Sequence, residues 1–459
     1  MFKKFTNGCV RVVNRWLPDP FLFAVILSII VYVFAMIATK MGPLKILNAW
    51  GTTSGFWNLL AFSMQMALVL VLGSAMASSR PCKKALRFAA GLCHNNMQAI
   101  VVTTMVSTVC CWLNWGFGLI AGALLAREVA KRVPTVDYPL LIASAYSGFV
   151  IWHAGLSGSI PLQLAEGYKI FAGTEQEMVL TASTTDTIFH PMNLIMCGVI
   201  LLAMPFVNYA MHPDKDHAIT IDPTLLVDEE EKDYGKPETP ADKMEHSKIL
   251  WVILVVAGFA YIIYYFATLP AGKSVAAALN LNIVNFIFLF LGILAHGNLR
   301  SYIDAIGAAA SGAAGVILQF PFYAGIMGMM VGHPEGGHSL AHVLSMIIVS
   351  FANEVTFPMF TFLSAGVVNF FVPSGGGQWA VQGPIMMPAA SDMGISAART
   401  GMAIAWGDCW TNLIQPFWAL PALAIAGLSA RDIMGYLVPL LIVVGVIVGI
   451  HFVIWSMRF

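Results

Sequence analysis

Long apolar segments recur along the whole chain and decide which solvent it folds in. They lie at residues 20–40, 56–78, 138–165, 188–209, 248–269, 280–297, 304–331, 397–427 and 434–457. About 20 apolar residues in a helix cross the hydrocarbon core of a bilayer. Charged residues make up only 10% of the 459, whereas soluble domains carry about 25%. The sequence therefore predicts an all-α polytopic protein whose main partner is the lipid bilayer.

Other classes of protein are excluded by the distribution of charge and cysteine. The formal net charge is zero, and no basic stripe with interleaved aromatic residues is present, so we expect no nucleic acid partner. The seven cysteines are odd in number and lack metal-ligand spacing. An enzyme would need paired carboxylates, a His/Glu metal motif or a nucleophile with its base. We expect no enzymatic activity, no cofactor and no bound metal.

Two further apolar segments, residues 97–126 and 354–390, are interrupted by glycine-rich centres. These centres are Asn114–Gly118 and Pro373–Gln378, where a continuous helix is unfavourable. Lys and Arg flank the first segment on both sides, and the positive-inside rule places both flanks in the cytoplasm. We therefore interpret it as a re-entrant helical hairpin, and the second segment as a hairpin that enters from the periplasmic side.

This path divides the chain into two copies of one pattern. Residues 1–210 hold a basic amphipathic N-terminus in the cytoplasm, spanning helices, the first hairpin and a broken helix at 138–165. Residues 211–247 form a charged cytoplasmic linker. Residues 248–459 begin with an extra helix, 248–269, and then repeat the order with the second hairpin and a broken helix at 397–427. The extra crossing predicts inverted repeats, as in secondary transporters.

Breaks in spanning helices are the candidate binding sites, because backbone groups freed in a membrane need protein, water or ligand as partners. Breaks are predicted at both hairpin tips, at Trp152–Gly158 and at Trp410–Gln415. Lys and Arg occur within the predicted spans only near their ends, at Lys40, Lys248 and Arg399, so amides, hydroxyls and helix N-termini would hold a carboxylate substrate. The candidate substrate-binding residues are Asn114, Gly116, Gly118, Ser157, Ser159, Ser374, Gly375, Gly376, Gly377, Trp379, Trp410, Asn412 and Gln415. The alternative is that the glycines only permit close helix packing and the tryptophans pack in the core.

Asp408 is the candidate ion-coupling residue, together with Thr411. It lies well inside a span and within one turn of a predicted break, and an intramembrane carboxylate is by default a functional residue. The alternative is a carboxylate that only accepts hydrogen bonds from the broken helix. His153 lies in the first broken helix, where it is either a titrating group or a hydrogen-bonded structural histidine.

Several long motifs resemble a known family. They are Trp16–Pro20, Phe56–Phe62, Asn114–Gly118, Gln319–Gly325, Val372–Gly377 and Gln415–Gly427, and they resemble the short-chain fatty acid transporter family along nearly the whole chain. The resemblance implies a multi-pass bacterial inner-membrane carrier for short monocarboxylates such as acetoacetate and butyrate. It also implies kinship with the ion-transporter superfamily, whose members use opposed hairpins, form homodimers and move by an elevator mechanism.

The resemblance leaves the coupling ion open between H+ and Na+. Members of that superfamily often have Ser-Asn-Thr at the hairpin tips, whereas this chain has Asn-Trp-Gly and Pro-Ser-Gly. We expect a secondary active transporter of short-chain fatty acids. The alternatives are a transporter or exchanger of another small carboxylate, and a channel, which would show rings of like charge or repeated filter carbonyls.

Overall fold

Helices form nearly all of the structure. The computed structural model describes residues 2–16, 20–58, 60–170, 178–221, 237–270, 275, 278, 281–372 and 375–458. The helices of the first part are α1 (Phe2–Trp16), α2 (Pro20–Thr39), α3 (Pro43–Gly51), α4 (Leu60–Ala77), α5 (Arg80–Ala90), α6 (Asn96–Leu113), α7 (Trp115–Arg132), α8 (Tyr138–Ser147), α9 (Ser159–Glu166), α10 (Pro191–Ala210) and α11 (Pro240–Glu245). Those of the second part are α12 (Lys248–Ala267), α13 (Leu281–His296), α14 (Leu299–Ala310), α15 (Ala314–Val331), α16 (Leu340–Val349), α17 (Phe357–Phe371), α18 (Gly375–Asp392), α19 (Ala397–Thr411), α20 (Pro416–Ala426) and α21 (Ala430–Arg458).

Several helical segments suit a bilayer. Within the described ranges, 5 have the length and hydropathy to cross a membrane: Asn96–Leu113, Tyr138–Ala165, Pro191–Ala210, Pro240–Ala267 and Ala430–Met457. Shorter apolar helices include Ala24–Thr39, Asn282–His296 and Phe357–Phe371. The predicted span 304–331 is divided by a 3₁₀ turn, Ser311–Ala313, into α14 and α15.

Helices α6 and α7 form an antiparallel hairpin. Asn114 stands alone between them and caps α7, because its Oδ1 accepts a hydrogen bond of 2.9 Å from the Phe117 amide. At the other end, the Thr135 hydroxyl donates to Asn96 Oδ1 at 2.8 Å, and Asn96 Nδ2 donates to the Thr135 carbonyl at 3.2 Å. Since the first residue of α6 is bonded to the chain just after α7, the segment starts and finishes on the same side.

Helices α17 and α18 form the second pair. Gln378 Nε2 donates to the Ala365 carbonyl at 2.7 Å, and Gln382 Nε2 donates to the Ser364 hydroxyl at 3.1 Å. Amide side chains therefore join the two helices in the apolar interior. Residues 373–374 between them lie outside the described residues, so the predicted role of Ser374 stays a prediction.

Both predicted broken helices are interrupted by 3₁₀ turns. The first runs from α8 through the turn Gly148–Ala154 to α9, and the second runs from α19 through the turn Asn412–Ile414 to α20. The first hairpin supplies hydrogen-bond partners for the irregular segment at the first break. Leu156 N–H donates to the Trp112 carbonyl at 2.8 Å, and the Ser157 hydroxyl accepts from Trp115 N–H at 3.1 Å.

A small β-hairpin corrects the all-α prediction. Strand β1 (Tyr168–Ile170) pairs antiparallel with β2 (Met178–Leu180), with Lys169 opposite Val179. Strands of three residues are too short to leave a period-2 pattern that can be told from a loop, so reading apolar segments misses them.

The N-terminal helix is held to the rest of the protein at two places. Gly435 allows α21 to approach α1 closely, because a Cβ on Gly435 would lie 2.8 Å from Val10 Cγ2. Lys3 Nζ lies 2.8 Å from Asp214 Oδ1, and the hydrogen bond from this ammonium lowers the pKa of the Asp214 carboxyl. The amphipathic helix therefore packs against protein as well as presenting a polar face.

Candidate functional site

The two broken helices meet at their 3₁₀ turns. The Tyr146 hydroxyl donates to the Asn412 carbonyl at 2.6 Å, and Trp152 Nε1 donates to Asn412 Oδ1 at 2.9 Å. All three residues are buried. These bonds satisfy carbonyl and amide oxygens that the broken α19–α20 segment would otherwise leave unpaired. We call Tyr146, Trp152, His153, Asp408 and Asn412 the junction.

A His–Asp pair lies at the centre of the junction. His153 Nδ1 is 2.7 Å from Asp408 Oδ2, and the two side chains are 0% and 1% exposed. The backbone N–H of Ile160 donates to His153 Nε2 at 3.0 Å. Because a backbone N–H only donates, Nε2 must be an acceptor, and the proton of the neutral ring is on Nδ1. His153 therefore donates to Asp408 and caps the start of α9 at the same time.

Two buried atoms of the junction have no hydrogen-bond partner among the described residues. They are Asp408 Oδ1 and Asn412 Nδ2. The orientation of the Asn412 amide is fixed. Trp152 Nε1–H is a donor, so the amide must turn its oxygen, and not its nitrogen, toward that N–H. An unpaired buried polar group costs about 1–3 kcal/mol, and such groups are uncommon in folded proteins. These two atoms are therefore candidate ligand atoms.

The second hairpin packs directly on the junction. A Cβ on Gly375 would lie 2.7 Å from His153 Cε1 and 2.9 Å from Trp152 Cη2, so only glycine allows this approach. At the end of α17, Asn369 Nδ2 donates to the Asp408 carbonyl and to the Thr411 hydroxyl, both at 2.8 Å. The hairpin thus contacts both members of the His–Asp pair.

The candidate residues of the first hairpin and of the first broken helix lie beside the junction, and most have partners within the protein. Asn114 Oδ1 caps α7, and Ser157 Oγ accepts from Trp115 N–H. Gly118 allows close contact with the backbone of Cys111, and Gly116 with Val69. Ser159 is the first residue of α9 and is partly buried. The structure therefore gives most of these residues a packing or capping contact.

The candidate residues of the second half occupy different environments. Gln415 Nε2 donates to the Phe370 carbonyl at 2.7 Å, which ties α20 to the end of α17. Trp410 Nε1 donates to the Leu441 carbonyl at 2.7 Å, so its indole faces α21 rather than the junction. Trp379 is fully buried in the core. A Cβ on Gly376 would be 3.5 Å from Gln163 Nε2, while Gly377 is buried.

Three residues that contact the site were absent from the candidate set: Tyr146, Trp152 and Asn369. The sequence signal was a polar or amphipathic side chain inside an apolar segment, which in a membrane needs a hydrogen-bond partner. That signal does not identify the partner. Tyr146 and Trp152 both bond to Asn412, which lies 266 and 260 positions away in the sequence.

Within the described part of the chain, no group of three or more His, Cys, Asp and Glu residues is placed to hold a metal ion.

A family model and two full-length relatives agree on one family. The sequence model described as "Short chain fatty acid transporter" matches residues 1–455. A protein of Escherichia coli strain K12, provisionally named a short-chain fatty acid transporter, is 43% identical over 450 residues, covering 97% of this chain and 98% of that protein. A Haemophilus influenzae protein with the same provisional name is 38% identical over 461 residues, covering 98% and 100%.

A solved structure, the YdaH transporter of Alcanivorax borkumensis, superposes with a TM-score of 0.46 at 16% identity, covering 95% of this chain and 98% of that one. A superposition of that quality supports no argument about this protein. The family match and the two full-length relatives are sufficient. The chain belongs to the short-chain fatty acid transporter family and is a membrane transporter rather than an enzyme.

Proposed function

We propose that the protein is a secondary active transporter of short-chain monocarboxylates, of the acetoacetate and butyrate kind, in the bacterial inner membrane. The observation that carries this proposal is the fully buried Asp408, which has one oxygen on His153 and the other without a partner among the described residues. Carboxylates inside a membrane protein mark ion and proton pathways. The family description and the relatives' names supply the substrate class.

The substrate carboxylate is bound close to the junction by uncharged donors. Asn412 Nδ2 has no partner there among the described residues, and the first turn of α18, Gly375–Gly377, begins against the His153 ring. The N–H groups of a helix's first turn favour an anion. Ser374, Ser159 and the first-hairpin residues Asn114–Gly118 complete the set that we propose around the solute.

A cation accompanies the substrate. Two carboxylates close together in a water-poor site repel each other, so loading needs neutralisation. A proton on Asp408 supplies it most simply. Sodium bound by Asp408 with Thr411 and Asn412 oxygens is the second candidate, since hard cations prefer oxygen ligands. In either case the transport is symport.

The architecture supports a moving carrier. Each half contains apolar helices, one hairpin and one broken helix in the same order, which fits inverted repeats with the N-terminus in the cytoplasm. We propose that the junction moves with its hairpins as an elevator within a homodimer. A channel is the competing class, and an exchanger of another small carboxylate is the competing carrier.

Counterflow tests the proposed function. Purified protein is reconstituted in vesicles loaded with unlabelled butyrate, and labelled butyrate is added outside. We expect transient accumulation of label above equilibrium, because only a carrier exchanges solute against solute. Vesicles without protein measure passive diffusion of the undissociated acid. Entry that never exceeds equilibrium would indicate a channel, and no entry above the control would overturn the proposed substrate class.

A further inference from the structure

We infer that the junction binds one carboxylate together with one proton, with Asp408 Oδ1–H and Asn412 Nδ2–H donating the two hydrogen bonds to the carboxylate oxygens. This inference rests on the proposed function. It adds the coupling ion and the two atoms that contact the substrate.

The geometry pairs the two free atoms. Asp408 and Asn412 are four residues apart where α19 passes into its 3₁₀ turn, so their side chains lie on one face. The rings that hold them, His153 and Trp152, are stacked with centroids 4.2 Å apart and an interplanar angle of 12°. The His153 ring donates to Asp408 Oδ2, and the Trp152 ring donates to Asn412 Oδ1. The second polar atom of each planar group, Asp408 Oδ1 or Asn412 Nδ2, has no partner among the described residues. Neighbouring planar groups held in this way present a two-point site, which suits the two oxygens of a carboxylate.

The site recognises an anion only when Asp408 carries a proton. An ionised Oδ1 is solely an acceptor and repels the substrate, whereas a protonated Oδ1 donates. The proton cannot go to His153 Nε2 without breaking the bond from Ile160 N–H, and it would then place a positive charge at the start of α9, where the helix dipole disfavours it. Oδ1 is the atom of the pair that accepts a proton without loss of a hydrogen bond.

The oxygens around Asp408 suit sodium less well. The Asp408 carbonyl and the Thr411 hydroxyl accept from Asn369 Nδ2, and both Asn412 oxygens accept from aromatic donors of the first broken helix. A cation among these atoms would face the hydrogens of their donors. The amide oxygens of Asn369 and Gln415, which have no partner in the described part of the chain, are the ligands that sodium would need. Sodium dependence is therefore kept as an outcome of the test.

His153 is the titratable side chain in contact with Asp408. Helix α17 has no titratable residue, α18 has Asp392 at its last position, and α9 ends at Glu166. Arg399 lies nine residues before Asp408 in α19, about 13 Å along the helix axis. The other titratable groups of the surrounding helices are Cys409 of α19, Tyr138 and Tyr146 of α8, Cys110 and Cys111 of α6, Cys197 and Tyr209 of α10, and Arg431, Asp432, Tyr436, His451 and Arg458 of α21. Among these described elements, Asp408 is the carboxylate that lies at the junction, and the inference places the proton on it.

Charge balance follows from this arrangement. The empty site carries one negative charge on Asp408. The loaded site carries a neutral Asp408 and one anionic substrate, which is again one negative charge. One proton and one carboxylate move per cycle, and the complete cycle transfers no net charge.

Calorimetric titration tests the inference. Butyrate is titrated into the purified, monodisperse protein near neutral pH, without sodium, in buffers of different ionisation enthalpy. We expect one proton taken up per butyrate bound. In Asp408→Asn the amide keeps an oxygen toward His153 and presents a permanent N–H donor in place of Oδ1–H, so we expect comparable affinity, no proton uptake and no pH dependence. Asn412→Asp removes the other donor and should weaken butyrate binding about 10- to 100-fold.

The possible failures are distinguishable. Wild-type binding without proton uptake, or binding that requires sodium, would overturn this inference and leave the proposed function standing. An absence of butyrate binding by folded wild-type protein both without and with added sodium would overturn both. If Asp408→Asn does not fold, the wild-type proton stoichiometry decides by itself.

Discussion

His153 donates a hydrogen bond of 2.7 Å to Asp408 across 255 positions of sequence, and this bond joins the two broken helices at their 3₁₀ turns. Both side chains are buried, and the ring nitrogen facing α9 is already an acceptor. The pair is therefore fixed in position and tautomer, while one carboxylate oxygen is left without a partner among the described residues. The predictions below concern what that oxygen does.

Asp408→Asn should separate exchange from accumulation. The amide preserves the contact with His153 but cannot release a proton, so labelled butyrate should exchange at a rate close to wild type while accumulation driven by a gradient is lost. Asp392→Asn is the matched control, because Asp392 is exposed at the end of α18. Normal accumulation in Asp408→Asn would exclude Asp408 as the coupling residue.

Two adjacent glycines should respond differently to the same small change. A Cβ at position 375 would lie 2.7 Å from the His153 ring, which two hydrogen bonds hold in place, whereas a Cβ at 376 makes only an ordinary 3.5 Å contact. Overpacking of this kind costs about 1–3 kcal/mol, so we expect Gly375→Ala to lower butyrate exchange about tenfold. Gly376→Ala should resemble wild type. Equal activity of the two variants would show that the hairpin does not pack on the junction as described.

His153→Leu should lower butyrate exchange. Leucine leaves Asp408 Oδ2 without its donor and the Ile160 N–H without its acceptor, both in the protein interior. An unsatisfied buried polar group costs about 1–3 kcal/mol, so we expect a loss of at least about tenfold. The measurement is the initial rate of butyrate exchange, with exposed His338→Leu as control. A rate equal to that of the control would show that transport does not need the contact between His153 and Asp408.

The two ends of the first hairpin should be accessible from the same side of the membrane. The structure bonds Asn96 to Thr135 across the hairpin base, and positions 83 and 131 lie near that base, in α5 and α7. Single cysteines at 83 and 131, in a protein without its native cysteines, should therefore react with an impermeant maleimide from the cytoplasmic side only. Labelling from opposite sides would contradict the hairpin and the proposed inverted repeats together.

The sequence predicted the helix breaks more readily than the contacts within the site. The glycine-rich centre at Asn114–Gly118 and the polar segment before Pro416 were sufficient to predict the helix breaks near Asn114 and Asn412, because these signals are local. Asp408 was named as a candidate for a local reason too, since a carboxylate is costly to bury inside an apolar segment, and its coupling role stays a prediction. The short β-hairpin left no comparable signal.

The contacts within the site were out of reach because they join distant parts of the chain. Trp410 and Trp152 look alike in sequence, each beside a predicted break, yet Trp410 bonds to Leu441 and Trp152 bonds to Asn412. Which indole faces the junction depends on how the broken helices pack, and local pattern holds no information about that packing. The same holds for His153, whose two partners, Asp408 and Ile160, define its tautomer.

Butyrate accumulation under separately imposed gradients tests the central claim most directly. Proteoliposomes receive an inward proton gradient, an inward sodium gradient or a potassium diffusion potential, one at a time, and accumulation is corrected with protein-free vesicles of the same lipid. We predict that the proton gradient alone drives accumulation, that the potential has no effect because the cycle is electroneutral, and that Asp408→Asn abolishes the response. Accumulation driven by sodium, or by the potential without a proton gradient, would contradict the assignment of Asp408 as the proton-binding residue.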